Sequence, residues 1–377
     1  MRICILSTYL PQQCGIATYT DYLIHGLKRV EKDIKVLILA EKEAEKVEED
    51  WLKVNPCWSR KEDYVSQILE NLEEVDVIHM QHEYSIWRFD ERLPHLTEEL
   101  SKKAKLIITM HCVHTNVTCD YGRDYGVEMD MEEFNRKFLS PATKVILHLD
   151  ECKKILEREG VPSEKLVVIP HGSEIQDVDP IVSRKHLNLP EKGFIILLFG
   201  FVRPHKKIHI VIEAMKEIVE KKKDVYLFIA GGAYPRKPEE HPYVKMCENL
   251  IKDLGLEENV IFPNRFLPNE DVPYIFGASD LVLFPYYEDY RSASGAFHLA
   301  MGAGKPVIAS RIPKFEELAN VSPELLILPE DKKALCRLIL RLVEDEKFYR
   351  EIKEKTKEYG LMTSWDNVAK KHLEVYK

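Results

Sequence analysis

The chain has 377 residues, 45% apolar and 31% charged, with 63 acidic against 54 basic side chains. That length suits two domains rather than one core, and the balance is that of a globular chain, not a disordered one. No basic cluster is present to neutralise a nucleic-acid backbone, and no apolar run reaches the ~20 residues that span a bilayer.

The first half alternates β-branched runs with amphipathic segments. Strands are predicted at Arg2–Leu6, Ile34–Leu39, Val77–Met80, Leu106–Thr109, Val145–Leu147 and Leu166–Ile169. Helical faces fall between them, as at Ile16, Tyr19, Leu23 and Leu27. After Pro170-His171-Gly172 the periodicity lapses, and 173–190 reads as a polar linker. Alternation restarts with strands at Phe194–Phe199, Val225–Ile229, Val260–Phe262, Leu281–Phe284, Val307–Ile308 and Leu325–Leu328. The tail from Glu346 is helical by pattern, with Trp365 between two segments. Strand–helix–strand order throughout predicts two doubly wound α/β domains, 1–172 and 191–358. Ligands in such sheets bind beyond the carboxyl ends of strands, and two such domains face to face make a cleft.

The eight cysteines (Cys4, Cys14, Cys57, Cys112, Cys119, Cys152, Cys247 and Cys336) are scattered and form no CxxC pair. Reduced thiols are expected, with neither a disulfide framework nor a metal site. Met1–Leu6 carries no cleavage-site pattern, so the expected location is cytoplasmic. On that basis the sequon at Asn116–Thr118 is a chance match.

Several strand-end loops carry polar chemistry. Gly15 ends the loop after the first strand, just before a helix opening at Ile16; it either lets a ligand approach the backbone or serves an ordinary turn. Arg203 and Lys206 follow the strand at Phe194–Phe199, placed to neutralise a diphosphate or simply forming a solvated basic turn. Glu288, Ser294, Gly295 and Ala296 follow the strand at Leu281–Phe284, and the last three open a helix whose amides suit a phosphate. His82 with Glu83, and His111, follow first-half strands, where histidine either bonds sugar hydroxyls or packs in the core. Asp177-Val178-Asp179 resembles a metal-binding DxD but sits in the predicted linker, so it is read as solvated. Neither a GxGxxG nor a GxSxG signature is present.

In these loops the sequence resembles the family 4 (group 1) retaining glycosyltransferases, and the likeness covers almost the whole chain. It rests on Cys14-Gly15-Ile16-Ala17-Thr18, Gln81–Ile86, Ile169–Gly172, Arg203–Lys206 and the run from Pro285 to Val307, in that order. The resemblance implies a GT-B fold of two Rossmann-like domains, with 359–377 crossing back to the first. It implies that the amino-terminal domain takes the acceptor, with His82 and Glu83 on that side, and the carboxy-terminal domain the donor. Arg203 and Lys206 would hold the diphosphate and stabilise the leaving group, and His111 would contact the sugar. Gly15, Phe262, Asn264, Arg265, Glu288 and Ser294–Ala296 would line the donor. The implied substrates are a nucleoside diphosphate hexose, with GDP-mannose placed before a UDP-hexose, and a glycan, lipid-linked or small-molecule acceptor. No metal or other cofactor is implied, and peripheral membrane contact stays open. The wider family's paired glutamates are missing, since Arg291 and Leu299 stand at their places, and its phosphate-loop glycine is Lys207. Two alternatives therefore accompany transfer: a GT-B nucleotide-sugar epimerase and a non-catalytic nucleotide-sugar-binding protein.

Overall fold

The computed structural model describes residues 1–115, 130–234, 238, 241–287 and 292–377. The chain divides into two compact units. Met1–Gly172 and Trp365–Lys377 belong to the first; Ser173–Asp289 and Ser294–Ser364 form the second.

Among the described residues, eight strands build the sheet of the first unit: β1 (Arg2–Ser7), β2 (Lys35–Glu41), β3 (Val47–Glu48), β4 (Leu52–Trp58), β5 (Val77–His82), β6 (Lys105–Met110), β7 (Lys144–Leu147) and β8 (Leu166–Val168). Their order is β3-β4-β2-β1-β5-β6-β7-β8, parallel except for β3. Ile3 pairs with Val36 on one side and Val77 on the other, so the order reverses between β1 and β5. Both faces are covered, as a parallel sheet requires. Cys4 and Leu6 pack with Trp58, Trp87 and Phe138 on one face. Ile3 and Ile5 pack with Leu23, Leu27 and Trp365 on the other. The strands β3 and β4 were not expected. Pro56 in β4 is tolerated because β3 pairs only with Lys53 and Val54, leaving Pro56 at an edge.

The last helix, Trp365–Tyr376, belongs to this unit and packs beside the first, Gly15–Val30. Trp365 is buried, stacked on Tyr22 at 5.6 Å and edge-on to Tyr19 at 5.0 Å. Its ring covers Gly172, where an added Cβ would lie 2.2 Å from a ring carbon. Glycine is needed there for contact, not for its torsions.

The sheet of the second unit has the order β11-β10-β9-β12-β13-β14, again parallel. Its strands are β9 (Phe194–Phe199), β10 (Val225–Ala230), β11 (Val260–Ile261), β12 (Leu281–Phe284), β13 (Val307–Ser310) and β14 (Leu326–Ile327). Here the reversal falls between β9 and β12. The segment 173–190 is more than a linker, because it carries the helix Pro180–His186. Asp179 caps that helix, accepting from the Ile181 and Val182 amides at 2.9 Å, so this member of the DxD pattern is a helix cap. Arg184 anchors the helix inside the second unit through Asp280 at 2.7 Å and the Ala278 carbonyl at 3.1 Å. The tail likewise divides later than the sequence suggested: Glu346–Met362 stays with the second unit and the chain passes over at Ser364.

Candidate functional site

In each unit the strand reversal splays two neighbouring strand ends apart, and the loops beyond them gather the polar residues. In the second unit, the backbones after β9 and β10 nearly touch. An added Cβ at Gly231 would lie 2.2 Å from the Gly200 carbonyl oxygen, so no larger residue fits there. Arg203 and Lys206 stand on the loop after β9. The Lys206 ammonium donates to the Phe199 carbonyl at 3.2 Å and lies 5.6 Å from the Tyr286 ring centre, and the Arg203 guanidinium lies 5.2 Å over Tyr234. Aromatic faces thus hold both cations at the sheet's carboxyl edge. Lys207 adopts left-handed torsions, φ 50 and ψ 36, which accounts for the glycine usual at this place. Here Glu330, at 2.7 Å from its ammonium, secures it.

The structure orders the remaining donor-side candidates differently. Ser294 caps the helix Gly295–Gly302, its hydroxyl accepting from the Phe297 amide at 3.3 Å. That leaves the Gly295 and Ala296 amides at the opening of the helix to meet an anion. Phe262 is partly buried against the core, and Asn264 and Arg265 are exposed beyond β11. Asn264 is also left-handed (φ 46), and its side-chain amide donates to Glu248 at 2.8 Å. Leu299 packs against the core, so no carboxylate replaces the missing glutamate there. Glu288 and Arg291 lie outside the described residues.

In the first unit, Gly15 opens a helix whose preceding residue, Cys14, makes no side-chain cap, and its first turn holds no acidic residue. An added Cβ at Gly15 would meet nothing within 4 Å, so packing does not demand a glycine here. His82 corrects an expectation. It is wholly buried, stacked on Phe138 at 4.7 Å, and neither ring nitrogen has a hydrogen-bond partner among the described residues. Burial holds it neutral, its pKa down to about 3, and it is a core aromatic unable to face an acceptor.

His111 is also mostly buried, and its ring is engaged on both sides. Nε2 lies 2.9 Å from Gln81 Oε1, and Nδ1 lies 3.3 Å from His148 Nε2. His148 Nδ1 in turn faces the Ile169 carbonyl at 2.9 Å, and that carbonyl can only accept. Burial and the neighbouring histidines push the His111 pKa well down. The ring is therefore held neutral within a network that the sequence did not reveal, linking His79, Gln81, His111 and His148, with Tyr19 against the rings of His111 and His148. His79 bonds Tyr376 and Thr109, each at 2.7 Å. One signal was legible: His79 and Gln81 alternate on β5 and so share a face. Glu83 stands half-buried just beyond β5, its carboxylate held by the Ser85 amide at 2.8 Å. Its other oxygen lies 3.8 Å from Cys112 Sγ, which is 3.8 Å from His114 Nε2.

A family model described as "Glycosyl transferases group 1" matches residues 181–359, and one described as "Glycosyltransferase Family 4" matches 14–177. The D-inositol 3-phosphate glycosyltransferase of Corynebacterium urealyticum is 27% identical over 237 residues, 58% of this chain and 53% of its own length. The lipopolysaccharide 1,2-N-acetylglucosaminetransferase of Salmonella typhimurium is 24% identical over 286 residues, 74% of this chain and 68% of its own. The match thus spans about half the length of the first relative and two thirds of the second. Among solved structures, Anabaena HepE in complex with UDP superposes with a TM-score of 0.73 at 19% identity, covering 100% of this chain and 99% of that one. That likeness, with two parallel-sheet α/β units, gives the fold as GT-B. Matched in both halves by these models, the chain belongs to the family 4, group 1 glycosyltransferases.

Proposed function

We propose that the chain moves a hexose from a nucleoside diphosphate sugar onto a glycan, lipid-linked or small-molecule acceptor, with retention of anomeric configuration. One observation carries this reading. Arg203 and Lys206 beyond β9, and the open amides of Gly295 and Ala296 beyond β12, lie on the loops either side of the strand reversal in the second unit. Such an arrangement suits a diphosphate, with the amides taking one phosphate and the two cations meeting the charge that develops on the leaving group. In this reading the acceptor hydroxyl attacks from the face the diphosphate leaves, and these cations supply the electrostatic stabilisation. Gly15 offers an uncapped helix start in the first unit for an anionic group, and Glu83 is the half-buried carboxylate on the acceptor side. His111, engaged through both nitrogens, is assigned to orienting the sugar. HepE has been solved with UDP-glucose, which supports a nucleoside diphosphate hexose as the donor class.

The reading is tested by incubating the enzyme with UDP- and GDP-hexoses and an acceptor panel, followed by mass spectrometry. A glycosylated product with released diphosphate supports it; donor binding with neither transfer nor hydrolysis replaces it with a binding protein. Leu299, packed where a ribose-gripping glutamate is usual, is the observation that keeps this second reading in view.

A further inference from the structure

Parallel pairing of β5 with β6 sets His82 beside Met110, and the His111 amide extends the ladder to the His82 carbonyl at 3.0 Å. The residues just past this register, Glu83 on one strand end and Cys112 and His114 on the other, are thereby brought together. One ligand atom from each lies within 4.8 Å of the other two. Both sulfur contacts, to the Glu83 carboxylate and to the His114 imidazole, are 3.8 Å. Two ligands bound to one tetrahedral ion through bonds of ~2.0–2.3 Å lie roughly 3.5 Å apart, so a small inward movement closes the set.

We infer that Glu83, Cys112 and His114 form a binding site for a thiophilic divalent cation of the zinc class, with one coordination position left open. Thiolate and imidazole select zinc-like ions over magnesium or calcium, which take oxygen ligands. The charges close as well: one thiolate and one carboxylate balance the dication, with the imidazole neutral and the thiol proton released to solvent. The surroundings already orient the ligands. Ser85 holds the second Glu83 oxygen through its amide. The His114 backbone amide donates to the Tyr84 hydroxyl at 3.4 Å, and Asn135 donates to the His114 carbonyl at 3.2 Å. Tyr84 and Asn135 are themselves joined at 2.8 Å, so the loop carrying two of the ligands is pinned from both sides. Cys112 and His114 are buried while Glu83 is half-exposed, which gives the ion an entry path.

The test reads metal binding directly, so it does not depend on transfer activity. The full-length protein, stripped with a chelator, is titrated with Co²⁺ and with Zn²⁺. One equivalent of Co²⁺ should bind with a thiolate-to-cobalt charge-transfer band, and Zn²⁺ should displace it. Cys112→Ser should abolish the band, and His114→Gln should weaken binding by ~100-fold or more, whereas Cys57→Ser should change neither. X-ray absorption on the zinc-loaded wild type, which needs no variant to fold, should show one sulfur at ~2.3 Å among nitrogen and oxygen ligands. No charge-transfer band, no sulfur scatterer, or a band that survives in folded Cys112→Ser would overturn the proposal. The triad would then be a hydrogen-bonded thiol.

Discussion

Replacing Gly172 by alanine tests how the last helix is fastened to the first unit. The new Cβ would stand 2.2 Å from the Trp365 ring, and its three nearest neighbours are all atoms of that ring. Carbon atoms in contact need ~3.5 Å or more, so the ring must retreat by over ~1 Å, and overpacking of that kind costs ~1–3 kcal/mol. Trp365 itself is 2% exposed. Burying an indole removes ~200 Å² from water, worth up to ~5 kcal/mol at ~25 cal/mol/Å², so Trp365→Ala should cost ~3–5 kcal/mol. The sharper result is the coupling. With the ring gone, Gly172→Ala should cost under ~0.5 kcal/mol, giving an interaction energy of at least ~0.5 kcal/mol. Urea denaturation read by hydrogen exchange in peptides of Met1–Gly172 reports the first unit separately. Additive effects of the two substitutions would refute the contact as described.

Three further outcomes follow from the same structure. Gly15→Ala meets empty space, so its melting temperature should stay within about 1–2 °C of wild type while donor turnover falls at least ~10-fold; a stability loss with unchanged turnover would reverse the assignment. Lys206→Ala should lower kcat by ~100-fold or more if the ammonium stabilises the departing diphosphate, and an unchanged kcat removes it from the mechanism. His82, with its folded pKa lowered to about 3, stays neutral while the unfolded chain takes a proton below about 6.5, so its contribution to stability is present at neutral pH and lost on acidification. His82→Phe should therefore gain on the wild type by ~2 kcal/mol between pH 7.5 and pH 5 in urea titrations, and a gap that does not widen would contradict this.

The fold was legible wherever apolar runs were continuous and sharply bounded. Phe194–Phe199 and Leu281–Phe284 were read at their observed limits, because strands buried on both faces leave no polar interruption. Leu52–Trp58 was missed since Asn55 and Pro56 break its run, and only edge position makes them tolerable. The helix at Pro180–His186 was hidden by its brevity, though Asp179-Pro180 is a start signal. In the candidate site, the order of motifs was visible but the state of each side chain was not. His82 and His111 look alike as strand-end histidines; one is stacked in the core and the other is held by Gln81 and His148. Glu83 with Cys112 and His114 carries no metal-like spacing, because strand register, not sequence proximity, brings them together.

Thermal-shift measurement of the purified chain against UDP, GDP and their hexose conjugates tests the central claim most directly. Stabilisation by one diphosphate and its hexose conjugates, reduced in Lys206→Ala, is the expected result, since a ligand that binds only the folded state raises its stability. Equal melting temperatures across the whole panel would contradict a nucleoside diphosphate site on the second unit, and with it the proposed transfer.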